Sequence, residues 1–348
     1  MRRAARLLIL PLCLVVLLVA AATVPLPVFV ERPGDVVSLV DHVAVAPASP
    51  EEAGEVDGDF LLTLVNLRRA TVVSLVQAWA DADLSVVRAT ALTGGVDDEV
   101  FFERQRELFA LTAEVASALG LQAAGLPVEF GAPRGVLVAE VFPGAPAEGV
   151  LRPGDIITAV DDTTVPSAGE LVTAVRESRD PTLAISFLRD EQERQASIER
   201  GSVPGLDQPG LGVHIQELVP PVDLPVPVSV DSGEIGGPSA GLMIALTVYD
   251  KISRDDLAAG RRVAGTGGVT VDGAVTPIGG IALKVLAAHR NDVDLFVAPQ
   301  SQVDQARGAV PDGSTMEVLG AETVQDAIDT LLDRPVSAGG WVPTTVAA

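Results

Sequence analysis

The stretch Pro277-Ile-Gly-Gly280-Ile-Ala-Leu-Lys284-Val-Leu-Ala-Ala-His-Arg290 places a lysine inside an apolar segment with the pattern of a helix. Of the 24 lysines and arginines in the 348 residues, only Lys251 and Lys284 are lysines. Arginine stays protonated at any ordinary pH, whereas a lysine removed from water can lose its proton. The positions one helical turn away from Lys284 contain no acid, since they are Gly280, Ile281, Ala287 and Ala288. The pattern predicts an amine with a lowered pKa, and the alternative is a lysine whose ammonium snorkels to solvent.

A serine flanked by glycines lies 45 residues before this lysine, in Gly236-Gly237-Pro238-Ser239-Ala240-Gly241. An apolar helix is predicted to follow, so unpaired backbone N–H groups and the positive end of the helix dipole lie beside the serine. Such groups can hold a developing oxyanion, and we predict the donors near Gly237, Pro238 and Ala240. A serine hydroxyl and a neutral amine together form a nucleophile and its general base. The alternative is an ordinary serine N-cap with glycines that serve packing.

The pattern Gly237-x-Ser239-x-Gly241 also fits the nucleophile elbow of α/β-hydrolases. That mechanism needs a histidine after an acid, for which His289 and Asp272 are the candidates. However, His289 lies on the helix predicted for Lys284, and too few α/β repeats precede the serine. His42 and His214 are better explained as surface residues, so a histidine-dependent hydrolase is disfavoured.

The N-terminus has the charge pattern of a membrane anchor. Arg2, Arg3 and Arg6 precede an uncharged run from Leu7 to Val30. About 20 apolar residues span a bilayer as a helix, and flanking arginines stay on the cytoplasmic side. We therefore predict a transmembrane anchor over residues 1–30, with the rest of the chain outside the cytoplasm. A cleaved signal peptide with Ala20-Ala21-Ala22 as its small-residue site is the alternative.

The composition argues against several classes of function. A net charge of −23 and a pI near 4.4 disfavour binding to nucleic acid and electrostatic binding to anionic lipid. Cys13 is the only cysteine, so neither an intramolecular disulfide nor a zinc site can be built from cysteines. No Gly-x4-Gly-Lys-[Ser/Thr] loop occurs, which predicts that these residues carry no ATP-driven motor. We expect no cofactor and no metal.

Residues 121–200 resemble a PDZ domain, in particular the circularly permuted bacterial kind. The resemblance lies in Pro143-Gly-Ala-Pro-Ala147 and in Leu151-Arg-Pro-Gly-Asp155-Ile-Ile-Thr-Ala-Val160-Asp. It implies a domain that adds the C-terminal strand of a peptide to the edge of its sheet and captures the carboxylate with backbone N–H groups. The sequence does not identify the capturing loop. Its candidates are the stretch before Gly135 and the Gly125-Leu126 pair.

Residues 212–333 resemble the proteolytic domain of Lon proteases. The resemblance rests on Gly237–Gly241, on Thr266-Gly267 and on the stretch from Pro277 to Arg290. It implies that Ser239 is the nucleophile, that Lys284 is its general base and that Thr266 orients the amine. The acid that follows the Thr-Gly pair in Lon proteases is replaced here by Gly268. Asp231 and Glu234 are the candidates to substitute for it.

Together these patterns predict an α+β multidomain chain. Local patterns predict strands at 59–66, 135–141, 156–160 and 183–188, helices at 168–177 and 280–291, a helix at 100–119 that ends at Gly120, and a hairpin at 261–276 that turns at Asp272-Gly273. The predicted parts are a transmembrane anchor or signal peptide (1–30), an extracytoplasmic stalk and α/β region (31–120), a PDZ domain (121–200), a linker (201–212), a Lon-type α/β proteolytic domain (213–333) and a flexible tail (334–348). The layout resembles the membrane-anchored PDZ–Lon peptidases of bacteria. This implies an ATP-independent serine endopeptidase of the bacterial cell membrane, with its catalytic portion extracytoplasmic.

The same resemblance implies the partners. Protein or peptide substrates are expected, recognised by exposed C-termini through the PDZ domain, and homo-oligomers are expected because Lon-type domains often form rings. The alternative function is a PDZ scaffold or adaptor whose Lon-like domain is inactive.

Overall fold

The structure is a computed structural model, and it describes residues 15–46, 57–93, 97–131, 135–141, 145–152, 154–189, 192–201, 209–217, 222–233, 235–253 and 255–334. In chain order its strands are β1 (Val28–Ser38), β2 (Val43–Val45), β3 (Asp59–Arg69), β4 (Ser85–Arg88), β5 (Glu129–Phe130), β6 (Val136–Val141), β7 (Ile156–Val160), β8 (Thr163–Thr164), β9 (Thr182–Arg189), β10 (Gln192–Glu199), β11 (Val213–Glu217), β12 (Val222–Asp223), β13 (Val228–Val230), β14 (Arg262–Gly265), β15 (Gly268–Val269), β16 (Val275–Thr276), β17 (Leu295–Pro299) and β18 (Glu317–Ala321).

The helices follow the same order along the chain. They are α1 (Val72–Ala80), α2 (Ala89–Thr93), α3 (Asp98–Ala123), α4 (Ala168–Glu177), α5 (Gly241–Ile252), α6 (Ile281–Arg290), α7 (Val303–Gly308) and α8 (Val324–Leu332). Two 3₁₀ turns cover Pro238–Ala240 and Gln300–Gln302. The chain divides into two compact units: unit 1 comprises Met1–Val128 and Leu224–Ala348, and unit 2 comprises Glu129–Asp223.

Unit 1 is built on a six-stranded sheet with the order β18-β17-β14-β3-β1-β4. The strands from β18 to β3 run parallel, whereas β1 is antiparallel to both β3 and β4. Strand β17 is buried along its whole length, as expected for a parallel strand covered on both faces. Residues 28–88 therefore complete the same sheet as residues 262–321, although the sequence suggested a stalk and a separate region over 31–120.

One prediction in this region is wrong. Residues 261–276 were expected to form one hairpin, but β14 instead lies between β3 and β17 with parallel pairing on both sides. Only β15 and β16 form a hairpin, and Gly273 lies in its turn with a φ of 82°. The reason is that β14 is a short, mostly buried run, which pattern alone cannot assign to a hairpin or to a parallel sheet.

Two helices that carry functional candidates pack within unit 1. Helix α6 contacts β1 and β3, and its Ile281 and Val285 belong to one apolar cluster with Leu61 and Phe296. Helix α5 is buried from Gly241 to Asp250 and packs against α3.

The predicted helix end at Gly120 is wrong, because α3 continues to Ala123. A Cβ placed on Gly120 would lie 2.5 Å from the carbonyl oxygen of Ala245 in α5. This glycine therefore permits close contact between two helices and is not a helix stop.

Unit 2 contains a sheet with the order β10-β9-β7-β6-β11, with helix α4 beside it. The predicted strands at 135–141, 156–160 and 183–188 and the helix at 168–177 are confirmed within one or two residues. The sequence missed β10, whose residues are mostly exposed and polar. It also assigned 213–217 to the proteolytic domain, but this segment is β11 and pairs with β6.

The N-terminal region differs from a simple anchor and stalk. Strand β1 begins at Val28, and Phe29 and Val30 are buried in the core, so the predicted span of 1–30 is wrong for its last three residues. Residues 15–23 are helical. No helix within the described residues, which begin at Val15, is both long and apolar enough to cross a bilayer. Residues 1–14 of the predicted span and residues 335–348 of the predicted tail (334–348) lie outside the described residues.

Candidate active site

Ser239 lies in the 3₁₀ turn that leads directly into α5. The residue before the turn, Gly237, has a φ of 92°, a conformation that residues with a Cβ rarely adopt. Ser239 itself is half-buried, so its hydroxyl remains within reach of a ligand. The flanking glycines thus permit a sharp entry into a helix that is otherwise fully packed.

Lys284 projects from α6, which begins after Gly280 in the left-handed region (φ 70°). Its side chain is only 4% exposed, and the snorkelling alternative is therefore contradicted. The neighbouring helical positions Ile281, Val285 and Ala288 are buried in the apolar cluster under the sheet. No ion pair to Lys284 is formed by any residue that the structure describes.

The structure brings the three predicted site residues together. The Nζ atom of Lys284 lies 2.7 Å from the Oγ atom of Ser239 and 2.9 Å from the Oγ1 atom of Thr266. Thr266 is completely buried, and its hydroxyl donates in turn to the carbonyl oxygen of Ser239 at 3.0 Å. The Thr266 oxygen is therefore an acceptor toward the amine, which leaves the lone pair of a neutral Lys284 free to face the serine hydroxyl.

Burial lowers the pKa of Lys284 from its ordinary value of 10.5 to about 7. Desolvation is the cause, because the charged ammonium loses its hydration and gains no carboxylate partner. At neutral pH a large fraction of the amine is consequently unprotonated. A neutral amine at hydrogen-bond distance from a hydroxyl has the geometry of a general base.

Main-chain hydrogen bonds fix the serine relative to β14. The carbonyl of Ser239 accepts from the N–H of Gly267 at 2.9 Å, and the N–H of Leu242 donates to the carbonyl of Gly267 at 3.0 Å. Thr266 continues the register of β14, since its N–H donates to Val297 in β17 at 3.0 Å. The sheet therefore positions both the hydroxyl of Thr266 and the turn that carries the nucleophile candidate.

The oxyanion prediction needs correction at two of its three residues. The N–H of Gly237 donates to the carbonyl of Gln105 in α3 at 2.7 Å, so it is already engaged. Pro238 has no N–H. Only Ala240 of the three remains a candidate donor, together with the N–H of Ser239 itself. Gln105 was missed by the sequence analysis, because nothing local marks a helical residue that packs against a distant loop.

The position after the Thr-Gly pair has no room for an acid. A Cβ on Gly268 would lie 2.3 Å from the hydroxyl oxygen of Thr276. Of the predicted substitutes, Asp231 accepts a hydrogen bond from the N–H of Gly233 at 3.1 Å, and Glu234 lies outside the described residues. Neither is shown beside Lys284, whose lowered pKa has no contribution from an acid.

The histidine alternatives are not assembled around the serine. His289 lies 3.0 Å from the hydroxyl of Ser314, and His42 lies 2.7 Å from the carbonyl of Ser38. The side chain of His214 lies outside the described residues. Among the residues that are described, no group of three or more His, Cys, Asp or Glu side chains could hold a metal ion.

A second candidate site lies within unit 2. A cavity of about 460 Å³ runs between α4 and the segment from Pro209 to Ile215. Its walls are mainly aliphatic, and Arg176 is the one charged residue among the described residues that line it. Strand β11 borders the cavity and is the last strand of its sheet among the described residues, none of which pairs with its outer edge as a further strand.

The cavity identifies a loop that the sequence analysis did not. Gly210-Leu211-Gly212-Val213 leads into β11 and lines the cavity, whereas no described residue of the expected segments near Gly125 and before Gly135 lines it. A side-chain hydrogen bond and a backbone bridge place the C-terminal end of α4 near this loop. Arg200 donates to the carbonyl of Val175 at 2.9 Å, and the adjacent Gly201 pairs with Gly210. The signal was present in the sequence as two closely spaced glycines before a strand, within the predicted linker.

Comparisons with known proteins match two regions of the chain to domain families. Residues 222–334 match the model of the Lon protease (S16) C-terminal proteolytic domain, and residues 102–199 match the model of the PDZ domain. The PDZ match begins inside α3 of unit 1 and ends before β11.

Curated relatives include the Lon protease of Rickettsia bellii (30% identity, 32% of this chain and 15% of that protein) and Lon protease 1 of Herpetosiphon aurantiacus (34% identity, 38% and 14%). The chain thus spans about a seventh of the length of these relatives. Among solved structures, the PDZ domain of an SdrC-like protein from Listeria monocytogenes is 28% identical, with a TM-score of 0.22, over 24% of this chain and 87% of that one.

Proposed function

We propose that this chain, which contains a Lon-type proteolytic domain and a PDZ domain, is a serine endopeptidase that uses a Ser239–Lys284 dyad without ATP. The observation that carries the proposal is the 2.7 Å distance between Nζ of Lys284 and Oγ of Ser239 in a buried setting. A nucleophile in contact with a base of pKa about 7 is suited to acyl transfer at neutral pH.

The proposed reaction begins with neutral Lys284, which takes the proton of Ser239 as its Oγ attacks a peptide carbonyl. The N–H groups of Ser239 and Ala240 stabilise the oxyanion, and such a donor is worth about 3–4 kcal/mol of barrier. The ammonium of Lys284 then protonates the leaving amine. A water molecule, deprotonated by the same amine, hydrolyses the acyl-enzyme. Proton transfer by such a base contributes about 10²–10⁴-fold in rate.

ATP independence is part of the proposal and rests on the sequence. None of the 348 residues forms a Walker A loop. Without a motor, a substrate must reach the half-buried Ser239 as an unfolded segment, an exposed loop or a free tail. The substrates that fit are therefore extracytoplasmic proteins that are misfolded or carry accessible ends.

Unit 2 is proposed to recruit substrates through their C-termini. A peptide strand would pair with the free edge of β11 while the N–H groups of Leu211 and Gly212 hold its carboxylate. The aliphatic walls of the cavity favour a peptide whose C-terminal residue is apolar. Arg176 adds a positive charge at the C-terminal end of α4, which lies near the loop. Binding of a labelled apolar peptide should fall when its C-terminus is amidated, and equal binding of both forms would contradict this role.

The proposed location is the bacterial cell membrane, with the catalytic portion outside the cytoplasm. Support comes from Arg2, Arg3 and Arg6 before the uncharged run from Leu7. The chain should remain in the membrane fraction after alkaline extraction and should be digested by protease added to intact spheroplasts. Release into the soluble fraction by the same extraction would contradict the anchor.

Cleavage of an unfolded protein by the purified full chain tests the peptidase. Ser239→Ala should abolish cleavage. Lys284→Arg keeps the charge but cannot act as a base, so it should lose cleavage as well. Circular dichroism must show a folded protein in both variants. A PDZ scaffold with an inactive proteolytic domain is the competing function, and full cleavage by Lys284→Arg, or no cleavage by the unmodified chain, would favour it.

A further inference from the structure

Helix α1 carries its large apolar side chains on its outer side. Val72, Val73, Val76 and Trp79 are 49%, 43%, 61% and 89% exposed. Their spacing places them on one side of a helix, and we call this set the α1 face. The half-buried positions of the helix are instead Ser74, Leu75 and Ala78. A surface helix of a soluble protein has the reverse arrangement, so packing among the described residues does not account for the α1 face.

The composition of the helix indicates what covers this face. No charged residue occurs from Thr71 to Ala80, and the helix is capped at Thr71 by its own side chains. Trp79, the most exposed residue of the α1 face, is of the type enriched where membranes meet water, because its ring is apolar and its N–H is polar. An ordinary protein partner would be met by a polar rim, whereas Gln77 is the only exposed polar residue of this helix.

The position of the helix points to the same occupant. The N–H of Leu26 donates to the carbonyl of Ala70 at 2.7 Å, and the N–H of Ala70 donates to the carbonyl of Val28 at 2.9 Å. Helix α1 therefore begins where the uncharged N-terminal run enters the sheet. Described residues of that run are themselves exposed and apolar, including Val16, Leu17 and Leu18 at 59–66%.

We propose that the α1 face lies in the interface of the lipid bilayer that holds the N-terminal run. This inference rests on the membrane anchor proposed above. Nine residues of helix extend about 13 Å, which is too short to span a bilayer but sufficient to lie in its surface. Because the chain has a net charge of −23, contact with acyl chains and not with anionic headgroups supplies the attraction.

Fluorescence of Trp79 in vesicles tests the inference. The sequence has two tryptophans, so Trp341→Phe in the full chain leaves Trp79 as the only one. The protein is reconstituted in phosphatidylcholine vesicles with lipids spin-labelled near the headgroup or near the end of the acyl chain. We expect the shallow label to quench Trp79 strongly and the deep label to quench it less. The Trp79→Phe variant, which retains Trp341, shows how strongly a tryptophan outside α1 is quenched.

A pair of substitutions sharpens this test. Val76→Glu places a charge in the α1 face and should cause a loss of quenching by the shallow label. Leu332→Glu changes another exposed apolar residue, 38% exposed in α8, and should leave the quenching unchanged. If both substitutions reduce quenching equally, the contact is not specific to α1 and the inference fails.

The outcomes separate this inference from the proposals on which it rests. If the chain floats with vesicles but Trp79 is not quenched, the anchor stands and the α1 contact is wrong. If the chain does not float and Trp79 is not quenched, both are wrong. Concentration-dependent shielding of Trp79 from iodide without lipid, together with a dimer in ultracentrifugation, would assign the face to a second copy and overturn the inference. Peptide cleavage, measured in parallel, reports on the dyad independently.

Discussion

The burial of Lys284 without a counter-ion among the described residues destabilises the fold, but it produces an amine with the pKa that the proposed mechanism needs. Removing an amine from water without a counter-ion costs free energy of folding, and a lowered pKa is the measure of that cost. The hydroxyl groups of Thr266 and Ser239 replace two of the hydrogen bonds that the amine would make with water. A purely structural position is better filled by an apolar side chain, so a buried lysine at this position supports the proposed role of the amine as a base.

The pH dependence of cleavage follows from this pKa. In the proposed mechanism the neutral form of Lys284 acts as the base, and the neutral fraction rises as pH increases through about 7. We expect kcat/KM for a peptide without ionising groups near neutrality to rise about tenfold per pH unit below 7 and to level off above 8. Initial rates between pH 5.5 and 9.5 measure the profile.

A control is needed because Asp250 is buried in α5 and its pKa is raised to about 7 as well, mainly by desolvation. Asp250→Asn should leave the midpoint of the profile in place. A midpoint that moves or disappears in this variant would assign the titration to Asp250 and contradict the role of Lys284.

Thr266 is expected to act as a positioning residue. Thr266→Val keeps the shape but removes the acceptor 2.9 Å from the amine, so kcat should fall by about 10–100-fold. The midpoint of the pH profile should move to lower pH, because the lost hydrogen bond stabilised the ammonium more than the amine. Thr266→Ser retains the hydroxyl and should restore both. Loss of activity in both variants with an unchanged midpoint would indicate a structural role only.

The residues of this site differ in how well the sequence could predict them. Ser239, Thr266 and Lys284 were predicted as a group, and the distances between them agree with that prediction. Gln105 could not be found, because its contact with Gly237 joins segments that only the folded chain brings together. The occupied N–H of Gly237 was missed for the same reason.

At the scale of single elements, replacing glycine by alanine should have opposite effects on the free energy of unfolding at two helical positions. Gly120→Ala would force a Cβ within 2.5 Å of the carbonyl of Ala245 and should destabilise unit 1 by about 1–3 kcal/mol. Gly169→Ala in α4 meets no atom within 4 Å and should stabilise unit 2 by about 0.5–1 kcal/mol. Urea titrations of the two variants measure both effects, and a stabilising Gly120→Ala would show that α3 and α5 are not in close contact.

Elements were predicted best where local pattern and burial agree. The strand β3 and the helices α3 and α6 follow clear periodicity, and their existence was predicted with small errors at the ends. Prediction failed where partners decide the structure. Strand β10 has no clear apolar period because most of its residues are exposed and polar, and β14 could be assigned only from its neighbours β3 and β17.

At the scale of the whole molecule, the sheet of unit 1 requires residues that lie far apart in sequence. A fragment of residues 213–333 lacks β3, β1 and β4, which leaves the edge of β14 unpaired. We expect this fragment to show no cooperative thermal unfolding by circular dichroism and no cleavage of a short fluorogenic peptide. The matched variant is the full chain with residues 129–223 replaced by a short Gly-Ser linker. It should unfold cooperatively and cleave the short peptide, and an active, folded fragment would contradict the shared sheet.

The pairing of β5 with β12 has a consequence for how this architecture can change. Phe130 faces Val222 and Glu129 faces Asp223 across an antiparallel ladder, so the points where the chain enters and leaves unit 2 are neighbouring strands about 5 Å apart. Unit 2 is therefore an insertion whose two connections to the rest of the chain leave from adjacent strands. Another recognition domain whose termini lie close together could be inserted at this point. It would bring different substrates to the proposed catalytic dyad and leave the strand order of unit 1 unchanged.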